Sequence, residues 1–374
     1  MRILIFNWQD IKNPLAGGAE VHLHEVFSRI AKMGHEVTLY CSAFPRAPKE
    51  EMLNGIRVLR EGNRYLFNFL VPIKYFTMFR KQGFDLVIDD MNKIPFFTPM
   101  YVREPLYIVT HHMFKKSIFL EASFPIALYV YVTELLGFGL CRSRKIPFIV
   151  GSPSTKQELL ESGFPSEQVE IINYCVDHAI HFPAPSLRST RPLIGYFGRL
   201  KKYKSVDQLL RAFVQIKKQL ADVRLVIVGE GDNRAALESF VREAGLQDSV
   251  TFTGFVPEEE KVRWLQKVWF AVNTSSKEGW GLTVIEANAC GTAVVASNVP
   301  GLRDAVKDNE TGLLYRYGDI DDLASKMSKM LHDEPLRNRL AASAYQWANT
   351  FDWDHAAERT FVLLEQRVKD NPKA

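Results

Sequence analysis

Short apolar runs recur along this chain, separated by stretches whose apolar positions repeat with helical period. The runs Leu86-Val87-Ile88 and Tyr107-Ile108-Val109 are continuous rather than alternating, the pattern of strands covered on both faces of a parallel sheet. In the first half the spacing predicts strands over 2–6, 36–40, 56–60, 85–89, 106–110, 146–150 and 169–172. The clearest helix there is 19–33, where Val21, Phe27 and Ile30 share a stripe and Gly34-His35 ends it. The second half repeats the alternation, with strands predicted at 192–197, 223–228, 250–252, 269–273, 293–296 and 313–315. Helices are predicted near 205–220, 232–244, 258–267, 281–290, 319–331 and 334–348, and a last one over 353–368.

At 374 residues the chain exceeds the size at which one core stops growing. The pattern predicts an α/β protein of two doubly wound domains, 1–178 and 193–349, with 350–374 packing back on the first. Residues 179–192, which include Pro183, Pro185 and Pro192, read as the linker. Two such domains in series are expected to present their carboxyl-side loops across a cleft.

A net charge of +4 is too mild to point to nucleic acid. The four cysteines, Cys41, Cys141, Cys175 and Cys290, are too far apart in sequence to suggest a metal cluster. The apolar start, 1–7, is too short for a signal peptide and fits a first strand, so a cytoplasmic protein with reduced thiols is expected. One segment complicates this picture. Residues 118–140 are largely apolar and aromatic, but Glu121, Pro125 and Glu134 interrupt them, and on that ground a spanning helix is rejected. A buried helix pair, a groove lining or a membrane-facing surface are the readings left. The last is favoured by Lys115 and Lys116, and by the apolar run 66–79 with Arg64, Lys74, Arg80 and Lys81 around it. It would place the protein peripherally on the cytoplasmic face of an anionic membrane.

The densest chemistry lies in Glu278-Gly-Trp-Gly-Leu-Thr-Val-Ile-Glu286, a glycine loop running from one acid to a second on a predicted helix. Backbone N–H groups of Gly281, Leu282 and Thr283 would open that helix and aim at an anion. The second half begins Ile194-Gly-Tyr-Phe-Gly198-Arg199-Leu200, with Lys204 following. Gly198 would let a ligand approach the backbone, while Arg199 and Lys204 would supply a bidentate clamp and a mobile point charge for a diphosphate. The rival reading of this stretch is a solvated basic loop. In the first half, Gly17-Gly18 precedes a helix without the spacing of a dinucleotide fingerprint; close approach of a ligand and a plain tight turn are equal readings. Gly229-Glu-Gly231 is likewise too weak to assign a cofactor. His111 and His112 end a predicted strand, where one of them is expected to meet substrate. His22, His24, His35, His178, His181, His332 and His355 are read as structural.

Together these residues resemble the retaining family 4 glycosyltransferases of GT-B fold. The paired glutamates Glu278 and Glu286 carry the likeness, with Trp280 where Phe is usual. Gly17-Gly18, Gly198-Arg199-Leu200, Lys204 and Ala296-Ser297-Asn298 with Gly301 extend it over nearly the whole chain. The resemblance implies two Rossmann-like domains and a hexosyl donor linked to UDP or GDP, bound mainly by the second. It implies that Glu286 bonds the ribose and Glu278 the donor sugar. Arg199 and Lys204 would neutralise the diphosphate, and His112, with His111 as alternative, would bond the sugar near its reacting carbon. It also implies transfer without a metal or other cofactor, while the apolar and basic surface expected on the first domain points to a lipid-linked or oligosaccharide acceptor. Departures are Ser205 after Lys204 where Gly is common, Pro300 before Gly301, and Tyr174-Cys175-Val176-Asp177 in place of Asn-Gly-Val-Asp. A nucleotide-sugar epimerase or hydrolase on the same architecture, and a binding protein without chemistry, are the alternatives.

Overall fold

The computed structural model describes residues 1–91, 93–120 and 122–371, so Glu121 lies outside the described residues. The chain divides into two compact units, Met1–Tyr174 with Trp353–Ala374, and Cys175–Asp352.

The first unit is built on β1 (Arg2–Phe6), β2 (Glu36–Ser42), β3 (Glu50–Leu53), β4 (Ile56–Glu61), β5 (Leu86–Met91), β6 (Leu106–Thr110), β7 (Phe148–Val150) and β8 (Val169–Ile171). Their order in the sheet is β3-β4-β2-β1-β5-β6-β7-β8. Every neighbouring pair is parallel except β3 and β4. The sequence pattern did not predict β3, a polar edge strand joined to β4 through Asn54-Gly55. Both turn residues have left-handed φ, 49° and 88°, the geometry that makes Asn-Gly a hairpin signal. The order reverses at β1, which has β2 on one side and β5 on the other, creating the switch point where open α/β sheets bind ligands.

The second unit carries β9 (Leu193–Phe197), β10 (Arg224–Val228), β11 (Val250–Gly254), β12 (Phe270–Asn273), β13 (Val294–Ser297) and β14 (Gly312–Tyr315). They are ordered β11-β10-β9-β12-β13-β14 and are all parallel. Here the switch point falls at β9, so the loops after β9 and β12 share it. Both units are Rossmann-like doubly wound sheets, as the alternation predicts.

Residues 179–192 are no free tether. The Arg188 guanidinium donates to the carbonyls of Val268 and Gly291 and to Thr292 Oγ1, and Trp269 Nε1 donates to Ser189 O at 2.7 Å. The final helix, Trp353–Asp370, belongs to the first unit, where Arg29 Nε lies 2.5 Å from Asp354 and His35 stacks on Phe361.

Two of the objections to the 118–140 segment as a long apolar helix fall away. The helix Phe124–Ser143 has Pro125 in its first turn, where a missing N–H costs nothing. Its Glu134 is turned inward, and the carboxylate oxygens accept the backbone N–H groups of Phe114 and Lys115 at 2.6 and 2.7 Å. In length and composition the helix meets the requirement for a membrane span, with a mean hydropathy of 1.6. Its place in the fold is that of the crossover between the parallel neighbours β6 and β7, packed on the sheet through Phe138 and Cys141. The outward face keeps Phe124, Ile126, Leu128, Leu135 and Leu136 exposed. The helix Phe67–Thr77, also absent from the predicted elements, exposes Phe69, Ile73 and Phe76. Both helices touch the 94–95 turn: Asn68 Nδ2 donates to the carbonyls of Ile94 and Pro95, and the Pro95 ring fills the space beside Gly137. The two apolar faces therefore flank one turn.

Charges taken into the first unit are matched. Arg60 and Asp10 have fully buried side chains and meet through two hydrogen bonds of 2.7 and 3.0 Å. Burial pushes the Asp10 carboxyl up, but hydrogen bonds from Arg60 and the Lys12 N–H outweigh it and leave the pKa lowered. Asp89 at the end of β5 is different. Burial pushes its carboxyl up to about 7 against a hydrogen bond from Thr98, and neighbouring Asp90 adds to the rise. A carboxyl raised in the folded state keeps its proton where the unfolded chain has lost it. Stability therefore falls as pH rises from the ordinary value of 3.8 through about 7. Asp89→Asn is expected to remove this decline, matching wild-type thermal stability below about pH 4 and exceeding it by up to a few kcal/mol near pH 8; melting curves across that range check it.

Candidate functional site

Two loops at the second unit's switch point build the densest constellation. After β9 the chain passes Gly198, whose φ of 148° is closed to side-chain-bearing residues. The reason is close packing of backbone: a Cβ on Gly229 would sit 2.0 Å from Gly198 O, and one on Gly231 would sit 2.3 Å from Leu200 O. The 229–231 glycines thus serve to press one strand-end loop on another. Arg199 is exposed, and its carbonyl accepts from Tyr196 OH at 3.1 Å. Lys204 ends a 3-10 turn, Lys202–Lys204, and Ser205 follows in left-handed conformation with φ 50° and ψ 39°. That conformation explains why Gly suits the position, and Ser205 compensates with a 2.9 Å hydrogen bond to Tyr317 OH.

The Lys204 ammonium is ion-paired to Glu278 Oε1, and Ser275 Oγ donates to the same oxygen at 2.6 Å. Burial alone would lower the lysine pKa; the Glu278 carboxylate overrides it and leaves it raised, with nearby Arg199 working weakly the other way. Asn273 Oδ1 accepts the Ser275 N–H at 3.1 Å and lies 2.8 Å from Ser275 Oγ, and Asn273 Nδ2 reaches Thr283 Oγ1 at 3.4 Å. This chain of contacts runs from the Lys204 cation to the first turn of the helix Leu282–Ala289, whose N-cap is Gly281 with φ 90°. The leading N–H groups of such a helix, those of Leu282 and Thr283, have no intrahelical acceptor. Cations, an acid and oriented amides on one edge form a cradle suited to a phosphate ester.

The loop holding Glu278 is itself braced. Glu278 N donates to Pro300 O at 3.3 Å, and a Cβ on Gly301 would sit 2.2 Å from Glu278 O. Trp280 is buried edge-on against Phe351 at 5.1 Å. Glu286 lies one helical turn deeper, nearly buried, with Oε2 3.0 Å from Lys261 Nζ. Lys261 also meets Glu258, which in turn lies 3.1 Å from His181. Sequence reasoning missed Lys261: it follows three consecutive glutamates on a helix and reads there as a solvated charge.

In the first unit, Gly17 is the N-cap of the helix Gly18–Lys32, and its N–H donates to Glu20 Oε2 at 2.7 Å. The carboxylate of Glu20 is buried and also accepts from Gln9. Burial leaves its pKa raised, against the Gly17 N–H and the charge of His111. His111 is turned into the unit, with Nε2 donating to Asp90 at 2.7 Å and Nδ1 paired with Tyr174 OH. Burial would lower its pKa, but Asp90 carries it above the ordinary value. Tyr174 stacks on His22 at 4.5 Å, which accounts for an aromatic residue at this departure from the family pattern. Burial presses the His22 pKa down to about 3, so that ring is neutral. His112 is half-buried, its ring 4.3 Å from that of Phe114. Phe114 packs with Ile118, Ala127 and Val130 beneath the apolar helix. The structure thus separates the histidine pair into one ring fixed at both nitrogens and one at the loop surface.

The family profile described as Glycosyltransferase Family 4 matches residues 16–180, and that described as Glycosyl transferases group 1 matches residues 177–347. A D-inositol 3-phosphate glycosyltransferase from Stackebrandtia nassauensis is 33% identical over 229 residues, covering 56% of this chain and 52% of the relative. The chain spans about half the length of the curated relatives it matches. Among solved structures, a sucrose-phosphate synthase from Thermosynechococcus elongatus superposes with a TM-score of 0.82 at 22% identity, covering 98% of both chains. Anabaena HepE, crystallised with UDP and glucose, gives 0.79 at 19% identity over 98% of this chain and all of its own.

The glycine contacts generate a graded expectation. Gly245 has φ 66° and no atom within 4 Å of a built Cβ, so Gly245→Ala should cost only about 1 kcal/mol. Gly229→Ala and Gly301→Ala add a backbone collision to the same strain, and each should cost about 3 kcal/mol or more. Thermal unfolding of the three variants checks the order.

Proposed function

This chain belongs to the family-4-type glycosyltransferases of GT-B fold, and from that premise we propose that it moves a hexosyl unit from a nucleoside diphosphate to a lipid-linked or glycan acceptor with retention at the anomeric carbon. The observation that carries the reading is the Lys204–Glu278 ion pair beside Arg199, tied through Ser275 and Asn273 to the opening turn of the Leu282–Ala289 helix. In the proposed reaction the bond from the anomeric carbon to the diphosphate oxygen breaks as the acceptor oxygen approaches the same face. The acceptor's proton passes to the departing phosphate oxygen. Arg199, Lys204 and the helix N–H groups would hold the charge that accumulates there, the largest contribution the protein makes. Glu278, already oriented by Ser275, would accept from the donor sugar's hydroxyls, and Glu286 from the ribose. His112 would contact the sugar near its reacting carbon, and His111, held by Asp90 and Tyr174, would set the loop from which it projects. The Gly17 turn is assigned to the donor on the strength of its place at the first unit's switch point. The residues proposed for transfer call on no metal.

UDP-glucose is the first donor to test, since the structurally similar HepE binds UDP and glucose. The lipid-linked acceptor rests on the exposed apolar faces of Phe67–Thr77 and Phe124–Ser143. Basic residues stand around them, with Arg64, Arg80, Lys81 and Lys116 exposed, a combination suited to a peripheral seat on an anionic bilayer. On this reading the protein works at the cytoplasmic membrane face.

Four measurements follow. UDP and UDP-glucose should raise the melting temperature, GDP much less, by mass action on the folded state. Glu286→Ala and Lys204→Ala should retain the fold and lose transfer by at least about 100-fold; full activity in either removes that residue from the site. Donor turnover without acceptor should be slow, and fast turnover would make the protein a hydrolase. On the membrane side, wild-type protein should float with anionic vesicles, and Phe69→Ser/Leu135→Ser/Leu136→Ser should remain in the soluble fraction.

A further inference from the structure

Glu286 sits in a charge cluster whose other members the proposed reaction does not use. One oxygen each from Glu258 and Glu286 and one nitrogen of His181 lie within 4.8 Å of one another, the spacing of a metal-ligand set. The Lys261 ammonium contacts two of the three, Glu258 Oε1 at 2.7 Å and Glu286 Oε2 at 3.0 Å. His181, buried, approaches the same Glu258 oxygen at 3.1 Å and is braced from behind by the Asp177 carbonyl. The site is charge-balanced only with a cation inside it. Two carboxylates this close repel, and an unmatched one would swing away or take up a proton.

We propose that Lys261 is a positioning residue, a resident cation standing where a divalent metal could bind, and that it holds Glu286 in the rotamer that receives the ribose. This rests on the reading of Glu286 as the ribose anchor. The geometry gives the division of labour. Glu286 Oε2 is committed to Lys261, while Oε1, without a partner among the described residues, can accept from a ribose hydroxyl. Glu258 holds the ammonium from the other side and is itself steadied by His181. A lysine is suited to the task because its point charge reaches two carboxylates at once and is not lost to chelators. The nucleotide-binding acid would then be oriented by the chain itself at any metal concentration.

The test is UDP titration by calorimetry, with steady-state kinetics, on wild type, Glu286→Ala, Lys261→Met, Lys261→Arg and Lys261→Ser, each with EDTA and with Mn2+. Wild type should be indifferent to both additions. Lys261→Met should weaken UDP and raise the donor KM about tenfold, the equivalent of one charged hydrogen bond, with kcat changed far less. Lys261→Arg should stay near wild type, which separates lost charge from lost folding. Lys261→Ser empties the site without filling it, and Mn2+ should restore its UDP affinity in a dose-dependent way that EDTA reverses. Lys261→Met, whose side chain occupies the space, should not respond. Undiminished UDP affinity in Lys261→Met, or no recovery of Lys261→Ser with Mn2+, overturns the inference while leaving the ribose reading intact. Undiminished UDP affinity in Glu286→Ala overturns the ribose reading itself.

Discussion

The pairing of Lys204 with Glu278 joins loops 74 residues apart in sequence. Apart from one short 3-10 turn, neither loop has regular structure to fix it. The 3-10 turn at 202–204 closes on the 274–278 segment through Thr274 Oγ1 to Lys204 O at 2.9 Å and Ser276 N to Tyr203 O at 2.8 Å. With those contacts made, the lysine and the glutamate meet largely out of water, where an ion pair is directional and an unpaired charge is costly. The rest of the second unit's switch-point edge is referenced to that pair: Ser275 to the acid, Asn273 to Ser275, and the helix opening to Asn273.

The same rule orders the first unit. Arg60 is taken inside only with Asp10, and His111 only with Asp90 and Tyr174. Asp89 has a hydroxyl partner and, among the described residues, no cation beside it, and burial shifts it toward neutrality. Adjacent acids on one strand thus meet different partners, Thr98 for Asp89 and His111 for Asp90, because alternate side chains leave opposite faces of the sheet.

Most of the architecture was legible because both sheets are covered on both faces, which writes each strand as an unbroken apolar run. The elements that escaped have other signatures. The polar edge strand β3 is announced only by Asn54-Gly55, and the helix Pro153–Glu161 by Ser152, whose hydroxyl accepts the Thr155 N–H. The helix Phe67–Thr77 carries apolar residues on its outer face as well, so its period is blurred, and Pro72 within it argues the wrong way. Arg199 and Glu278 stand out in the sequence because each adjoins a glycine in a loop that follows a strand, and Lys204 and Glu286 because each lies a few residues beyond one of them. Glu20, Tyr174 and Lys261 could not, since their meaning comes from partners reached only by folding: Gln9, His111 and Glu286.

Glu134 is the lone acid on the described length of an otherwise apolar helix, and its carboxylate closes both N–H groups of a loop that begins two residues after His112. Lys115 in that loop has φ 46°, an arrangement it keeps only while something grips its N–H. The helix is therefore not a detachable accessory. Trimming it, or recoding its surface to ease purification, leaves the loop intact only if this one carboxylate stays; a truncated form lacking it would release two backbone donors and the strained lysine together, beside the histidine they steady.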